Sequence, residues 1–263
     1  MVNNKIGIFD SGVGGTSIWK EIHELLPFED TIYLADSANA PYGIKTREEI
    51  ISLSRKNTIK LLELGAKIIV VACNTATTNA ILELRKEFEV PFIGIEPAIK
   101  PAALKSKTKT IGILATKGTL SSHLFTKTSE LYTQGIKVIE VEGNGLVELI
   151  EAGKIDSEEM KSLLRQILIP LQEQPLDYLV LGCSHYPYLI PKLRAFFSNA
   201  ITIIDSGEAV ARQTKSILDK LGKLNTNFQQ KGECVFYSNN NPAVLEKIIN
   251  PVKDQFQVKR INF

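Results

Sequence analysis

No stretch of this sequence approaches the roughly 18 consecutive apolar residues that a membrane-spanning helix requires. Met1–Asp10 holds a short apolar run, but Gly7 breaks it and Asp10 ends it, so no export signal is read there and no membrane partner is expected. Neither sign of charge is in excess. The 31 Lys and Arg stand against 29 Asp and Glu, and a net charge of +2 gives no support to nucleic-acid binding. Three cysteines in 263 residues are too few, and an odd number, for a disulfide scaffold, which makes a reducing cytoplasm the expected compartment. There is no P-loop. No CxxC or HxxxH spacing supports a zinc site built on Cys183 and His185, so no metal is expected. What remains, 44% apolar and 23% charged, is the balance of an ordinary folded chain, enough for one large domain or two of roughly 130 residues.

Short apolar runs alternate with helical periodicity. Lys5–Phe9, Thr31–Ala35, Lys67–Ala72 and Pro91–Ile95 read as strands; Thr16–Leu26, Glu48–Leu64 and Thr77–Phe88 read as helices. Such βαβα order predicts a parallel sheet covered by helices. The pattern then restarts. Ile111–Leu114 resembles Ile6–Phe9, Leu179–Cys183 resembles Ile69–Cys73, and Ile201–Asp205 resembles Phe92–Glu96, at offsets between 105 and 110 residues. Three matches in one order predict an internal duplication. The expected fold is α/β: two similar lobes, each a mostly parallel sheet flanked by helices, related by a pseudo-two-fold, with the active site in the cleft between them. The first lobe is expected over 1–97 plus 211–263 and the second over 98–210. Glu233–Tyr237 and Val258–Phe263 have no counterpart in the repeat and return to the first lobe.

Ligands of open α/β sheets bind at the carboxyl ends of strands. Two facing lobes therefore bring Asp10, Cys73 and Glu96 to one side of a cleft, and Cys183 and Asp205 to the other. Cys73 ends a strand with Asn74-Thr75 after it, and a thiol at a helix N-terminus is acidified by the helix dipole. Cys183 repeats the arrangement, with Ser184 as a cap and Pro187 suited to a first helical turn. Two thiols on opposite sides of one carbon suit a stereochemical inversion: one removes a proton as thiolate, the other delivers one as thiol. Asp10 and His185 are the neighbours suited to shuttle protons. Cys234 reads as a small buried hydrophobe, and His23 and His123 as surface residues. The Gly12-Val13-Gly14-Gly15 turn is close to a dinucleotide fingerprint, with Asp36 at the ribose position, but Ser17 occupies the third glycine position. These glycines are expected to let backbone amides approach a small anion such as a carboxylate.

Four blocks taken together carry a family resemblance: Asp10-Ser11-Gly12-Val13-Gly14-Gly15, Asn39-Ala40-Pro41-Tyr42-Gly43, Ala72-Cys73-Asn74-Thr75-Ala76 and Gly182-Cys183-Ser184-His185-Tyr186-Pro187. In this order, between Ile6 and Asp205, they resemble the bacterial glutamate racemases of the aspartate/glutamate racemase family. The resemblance implies interconversion of L- and D-glutamate without pyridoxal phosphate or any other cofactor, with the D-isomer used for peptidoglycan. It implies Cys73 as the base toward D-glutamate and Cys183 as the base toward L-glutamate, assisted by Asp10 and His185. Glu151, on the weaker local motif Leu149-Ile150-Glu151, resembles a further acidic group near the second cysteine. Asp10, Ser11, Tyr42, Gly43, Asn74, Thr75, Thr116, Ser184 and His185 match positions that hold the amino acid. The resemblance also implies a homodimer.

Two positions depart from the family pattern. Ser184 stands where Thr is usual, which keeps the hydroxyl. Thr16 stands where Leu is common, a matter of helix packing. Three other readings compete. An aspartate racemase typically carries Glu where His185 stands. A one-thiol hydrolase or decarboxylase leaves Cys73 idle. A non-catalytic amino-acid-binding protein needs no thiols.

Overall fold

Lys5–Asp10 and Ala66–Val71 are apolar almost throughout because they become central strands, covered on both faces. The structure, a computed structural model, describes residues 4–197, 201–250 and 256–263, so Met1–Asn3 of the N-terminal run lie outside the described residues. The chain runs β1 (Lys5–Asp10), α1 (Thr16–Leu25), β2 (Thr31–Ala35), α2 (Arg47–Glu63), β3 (Ala66–Val71), α3 (Asn74–Glu87) and β4 (Phe92–Gly94). It continues with α4 (Ile99–Lys105), β5 (Thr110–Ala115), α5 (Lys117–Leu120), α6 (His123–Tyr132), β6 (Lys137–Glu142), α7 (Leu146–Glu151), α8 (Glu158–Gln172), β7 (Tyr178–Gly182), α9 (Ile190–Phe196) and β8 (Thr202–Ile204). Last come α10 (Gly207–Lys220), β9 (Cys234–Ser238), α11 (Ala243–Ile249) and β10 (Phe256–Arg260).

The strands form two sheets, ordered β10-β9-β2-β1-β3-β4 and β6-β5-β7-β8, and every pairing is parallel. The order β2-β1-β3-β4 recurs as β6-β5-β7-β8, so the repeat seen in sequence is a repeat of strand topology. β9 and β10 extend the first sheet beyond β2. α10 begins at Gly207 and packs on α1, so this helix crosses the 210/211 boundary. β6 escaped the sequence reading for a physical reason. Its KVIEVE segment is an edge strand, largely exposed, in which charged residues break the apolar run.

Side chains alternate across the central strands. Ile6 and Ile8 of β1 and Ile68 and Val70 of β3 face a core that also takes in Trp19 of α1, Leu164 of α8 and Leu181 of β7. Phe9, Ile69 and Val71 face a separate core under α2 and α3, and Ile111 and Ile113 face a third under α4 and α6. The two lobes thus share one continuous apolar core. His23 belongs to that interior rather than the surface: it is 6% exposed, stacks on Trp19 at 5.0 Å between ring centroids, and lies 3.6 Å from Cys234 Sγ. Its place on the inward face of α1, four residues after Trp19, is the reason. His123 is exposed and Cys234 buried, as read.

A buried ion pair pins the far end of the first sheet. Lys67 Nζ lies 2.6 Å from Glu29 Oε2 and donates to the Lys223 carbonyl at 2.7 Å, while Glu29 Oε1 accepts the Asn225 amide at 2.6 Å. Removing one partner leaves a buried charge uncompensated, at a cost of about 3–5 kcal/mol. Lys67→Met is therefore expected to lower the unfolding free energy by that order in urea titration. The pair Lys67→Met/Glu29→Gln is expected to lose less than Lys67→Met alone. A double variant weaker than the single would show that the charge pairing is not what holds this end.

Candidate active site

Parallel topology delivers the carboxyl ends of both central strand sets to one place. The end of β1 supplies Asp10 and Ser11, the β2–α2 loop Pro41, Tyr42 and Gly43, and the β3–α3 junction Cys73, Asn74 and Thr75. From the second lobe, β5 ends at Thr116, β7 at Cys183, Ser184 and His185, and α7 brings Val147. All of these except Asp10 line one narrow cleft. Asp10 is fully buried and lies behind the cleft, as does Glu151. Pro41 and Val147 were not read from sequence; Pro41 sat inside a quoted block, whereas Val147 carried no signal. Glu96 and Asp205 do not join the cleft. Glu96 is exposed and bonded to Thr128, and Asp205 accepts the Gly207 amide at the start of α10.

Cys73 is the N-cap of α3, and its sulfur accepts the Ala76 amide at 3.4 Å. This is why α3 starts at Asn74 rather than Thr77. The expected acidifying contact is present, and Ser11 Oγ lies at 3.7 Å. Burial nonetheless dominates and, with the nearby charge of Asp10, pushes the Cys73 thiol well above its ordinary value. The dipole expectation is thus outweighed by desolvation.

Cys183 has different company. No helix begins at it; a single 3-10 turn follows over Tyr186–Leu189 without a side-chain cap, so Ser184 is not the cap expected. Its sulfur lies 3.8 Å from His185 Nδ1, and His185 Nε2 lies 2.6 Å from Glu151 Oε1. The Gly14 amide is also 3.2 Å from Nε2. Nε2 cannot accept from Gly14 while donating to Glu151, and the shorter contact to a carboxylate puts the proton on Nε2. Burial opposes a charged imidazole, but Cys183, Glu151 and Asp10 outweigh it and raise the His185 pKa well above its ordinary value. Asp10 accepts the Gly15 amide at 2.8 Å and the Ser184 hydroxyl at 3.2 Å, with His185 Nδ1 at 3.9 Å; burial raises its pKa.

The glycine turn does cradle carboxylates, but they are the protein's own. The Val13 amide donates to Glu151 Oε1 at 2.6 Å, and Ser37 Oγ donates to Oε2 at 2.9 Å. A Cβ on Gly12 would fall 1.9 Å from Glu151 Oε1, and one on Gly14 would fall 2.1 Å from the His185 ring. These two glycines are what let the second lobe reach in. Asp36 likewise serves the protein: it is fully buried and accepts from Tyr42, Asn39 (2.7 Å) and Asn239. Asn239, beyond β9, also accepts the Ala38 amide at 2.9 Å, so the C-terminal strands brace the Tyr42–Gly43 loop. Sequence reading missed this residue because nothing local marks it.

Asn74 points to a ligand. It is 2% exposed, lines the cleft, and neither of its side-chain polar atoms has a hydrogen-bond partner. Unmet groups of this kind cost about 1–3 kcal/mol each, which a bound polar molecule recovers. The cleft lining carries no Arg or Lys; Lys117 lines the adjoining recess with Pro41, Gly43 and Thr116. Thr75, Thr116 and Thr119 share hydroxyl contacts of 2.8–3.3 Å at one wall. Among the described residues no cluster of His, Cys, Asp and Glu is arranged to hold a metal, and no helix is long and apolar enough to cross a membrane.

Comparison with known proteins gives one consistent answer. The model of the Asp/Glu/hydantoin racemase family matches residues 6–214. The glutamate racemase of Deinococcus radiodurans is 42% identical over 246 residues, 93% of this chain and 84% of that protein. The structure of glutamate racemase isoform RacE1 from Bacillus anthracis superposes with a TM-score of 0.86 at 30% identity, covering 100% of this chain and 99% of that one. Escherichia coli glutamate racemase, crystallised with L-glutamate and the activator UDP-MurNAc-Ala, gives a TM-score of 0.84 at 28% identity, covering 98% of each chain.

A raised imidazole pKa has a signed consequence for stability. The native state holds the His185 proton more tightly than the unfolded chain, whose pKa is near 6.5. That contribution is complete below the unfolded value and is lost as pH rises through the native one. Relative to His185→Asn, the protein is expected to lose unfolding free energy from about pH 6.5 upward, at a slope of at most about 1.4 kcal/mol per pH unit. Urea titrations of both proteins across pH 5.5–9 measure it. A difference that stays flat or grows with pH would mean that His185 is not held as the cation.

Proposed function

Taking as premise that this chain belongs to the Asp/Glu/hydantoin racemase family, and so is an amino-acid racemase and an isomerase, we propose that it inverts glutamate with two cysteines and no cofactor. The observation that carries this reading is the meeting of two buried thiols, each from the carboxyl end of a central strand of its own sheet, in one cleft. Glutamate racemase is the name that the Deinococcus radiodurans and Escherichia coli proteins carry. From D-glutamate, Cys73 as thiolate takes the α-proton and Cys183 as thiol gives one to the opposite face. From L-glutamate the roles exchange. Burial and Asp10 disfavour a resting thiolate at Cys73; the substrate ammonium, arriving beside both, favours it. At Cys183, His185 moves the proton and Glu151 holds the ring.

Ser11, Asn74, Thr75, Thr116 and Ser184 offer neutral donors for two carboxylates, with Tyr42 and Gly43 closing the wall. We assign the lobes to 1–97 plus 211–263 and 98–210, with α10 running across the 210/211 boundary; the return of β9 and β10 to the first sheet supports this division. The same reading puts the enzyme in the cytoplasm as a homodimer, making D-glutamate for peptidoglycan. The activator bound to the Escherichia coli neighbour is in keeping with that role.

The test is direct. In D₂O, either glutamate isomer is expected to gain α-deuterium and to lose its circular dichroism signal without added pyridoxal phosphate. Cys73→Ala and Cys183→Ala should each cut racemisation at least about a hundredfold with the fold intact, while Cys234→Ala stays near normal. Persisting racemisation in either of the first two removes the two-cysteine mechanism. Equal turnover of aspartate removes the glutamate assignment.

A further inference from the structure

The Cys183 side of the site lacks the support that the Cys73 side has. Cys73 is fixed by the first turn of its own helix, whereas Ser184–Tyr188 leaves β7 through a single uncapped turn. Its position therefore depends on what it touches, and α1 of the other lobe touches it repeatedly. Ser17 Oγ donates to the Ser184 carbonyl at 2.9 Å. Thr16, fully buried at the first position of α1, contacts the Val13 carbonyl at 2.6 Å and the Tyr188 hydroxyl at 2.5 Å through its single Oγ1. Its one proton goes to the carbonyl, which can only accept, so Tyr188 donates to Thr16. Burial raises the Tyr188 phenol well above its ordinary value, which keeps it a donor. Lys20, one turn on, sits over the Tyr188 ring at 5.1 Å and donates to the Ile248 carbonyl at 3.2 Å.

We propose that Thr16 and Tyr188 form an inter-lobe latch that positions Cys183 and His185, making Thr16 a positioning residue for one of the two proton transfers. The inference rests on the two-cysteine reading. His185 lies between the two points at which α1 grips the segment, Ser184 and Tyr188, with Nδ1 only 3.8 Å from Cys183 Sγ. Loosening the grip lengthens that path but leaves the Cys73–Ala76 contact untouched. The consequence is one-sided. The equilibrium constant between enantiomers is one, so kcat/KM falls equally in both directions. What changes is which proton transfer limits it.

The experiment uses the whole protein with Thr16→Val, Thr16→Ser, Tyr188→Phe and the Thr16→Val/Tyr188→Phe pair. Each is assayed with α-deuterated L- and D-glutamate, and its folding is followed by thermal unfolding. Thr16→Val and Tyr188→Phe are expected to lower kcat/KM roughly three- to tenfold each, the size of one lost hydrogen bond. The pair should fall little further, because both remove the same contact. Thr16→Ser, which keeps the hydroxyl, should stay near the parent. The isotope effect on kcat/KM should rise from L-glutamate and fall from D-glutamate. Should Thr16→Val fail to fold, Tyr188→Phe carries the test alone, since it removes one hydroxyl and no packing volume. Rates that fall with both isotope effects unmoved, or losses that simply add, overturn the latch while leaving the two-cysteine reading standing. A parent protein that racemises glutamate in D₂O without α-deuterium incorporation, or a Cys183→Ala variant that still racemises, overturns that reading, and the latch with it.

Discussion

A carboxylate from one lobe held in the backbone amides of the other is the interaction on which the rest of this site depends. Glu151 ends α7 in the second lobe, yet its partners are the Val13 amide, Ser37 and His185, two of the three from the opposite strand ends or their own turn. A charge taken out of water at a lobe interface is tolerated only when it is paired and hydrogen-bonded. Glu151 meets that condition only with the lobes brought together and with glycine at position 12, while glycine at 14 makes room for its partner His185. The same bond directs Nε2 of His185 and leaves Nδ1 facing Cys183. The packing of one lobe on the other and the orientation of the ring beside the second thiol therefore rest on the same contacts.

Duplication gave two thiols at equivalent strand ends, but their surroundings have diverged. The first sulfur has a helix amide and a buried carboxylate for neighbours; the second has an imidazole backed by a carboxylate. For the proposed mechanism each arrangement meets the same need, a thiol that must both ionise and re-protonate in a buried cleft, by a different physical means. A fixed amide favours the thiolate by dipole and cannot move a proton, so in the proposed mechanism proton exchange on that side falls to Asp10. An imidazole can do both.

Strand and helix alternation was legible because central parallel strands are apolar on both faces, and this located the cleft as well. The four motif blocks contained every polar group of the cleft wall except Thr116, which entered through the family resemblance. What sequence did not disclose is what depends on distant partners. Glu151 was visible as an acidic residue but not as the occupant of the glycine turn, 138 residues away in the chain. Asn239 lies 203 residues from Asp36 and has no pattern around it. Val147 is an apolar residue on an apolar helix face. His23 was misjudged because a lone polar residue on an amphipathic helix is usually solvent-facing, and here Trp19 and Cys234 receive it instead. β6 hid behind its exposed glutamates.

The two-cysteine mechanism proposed above has one further requirement, and the buried network bears on it. After D-glutamate becomes L-glutamate, Cys73 holds the proton it took and Cys183 has given its own away. The next D-glutamate needs the opposite arrangement, so a proton must cross from one sulfur to the other or be traded with solvent. Both thiols are less than a tenth exposed, which makes direct trading slow to arrange. Between them stand Asp10, near enough to raise the Cys73 thiol, and His185, whose Nδ1 lies 3.9 Å from Asp10 and 3.8 Å from Cys183. Ser184, bonded to Asp10 at 3.2 Å and 3.4 Å from the same Nδ1, closes the gap. Burial raises the pKa of Asp10, and its neighbours raise that of His185, so both retain protons at higher pH than exposed groups do. Groups of this kind, linked behind the cleft from Asp10 near Cys73 to His185 beside Cys183, are what resetting requires. Under that proposed mechanism Asp10 serves both thiols rather than Cys73 alone, and its burial, which costs stability as a charge, supplies the proton affinity that the return path needs.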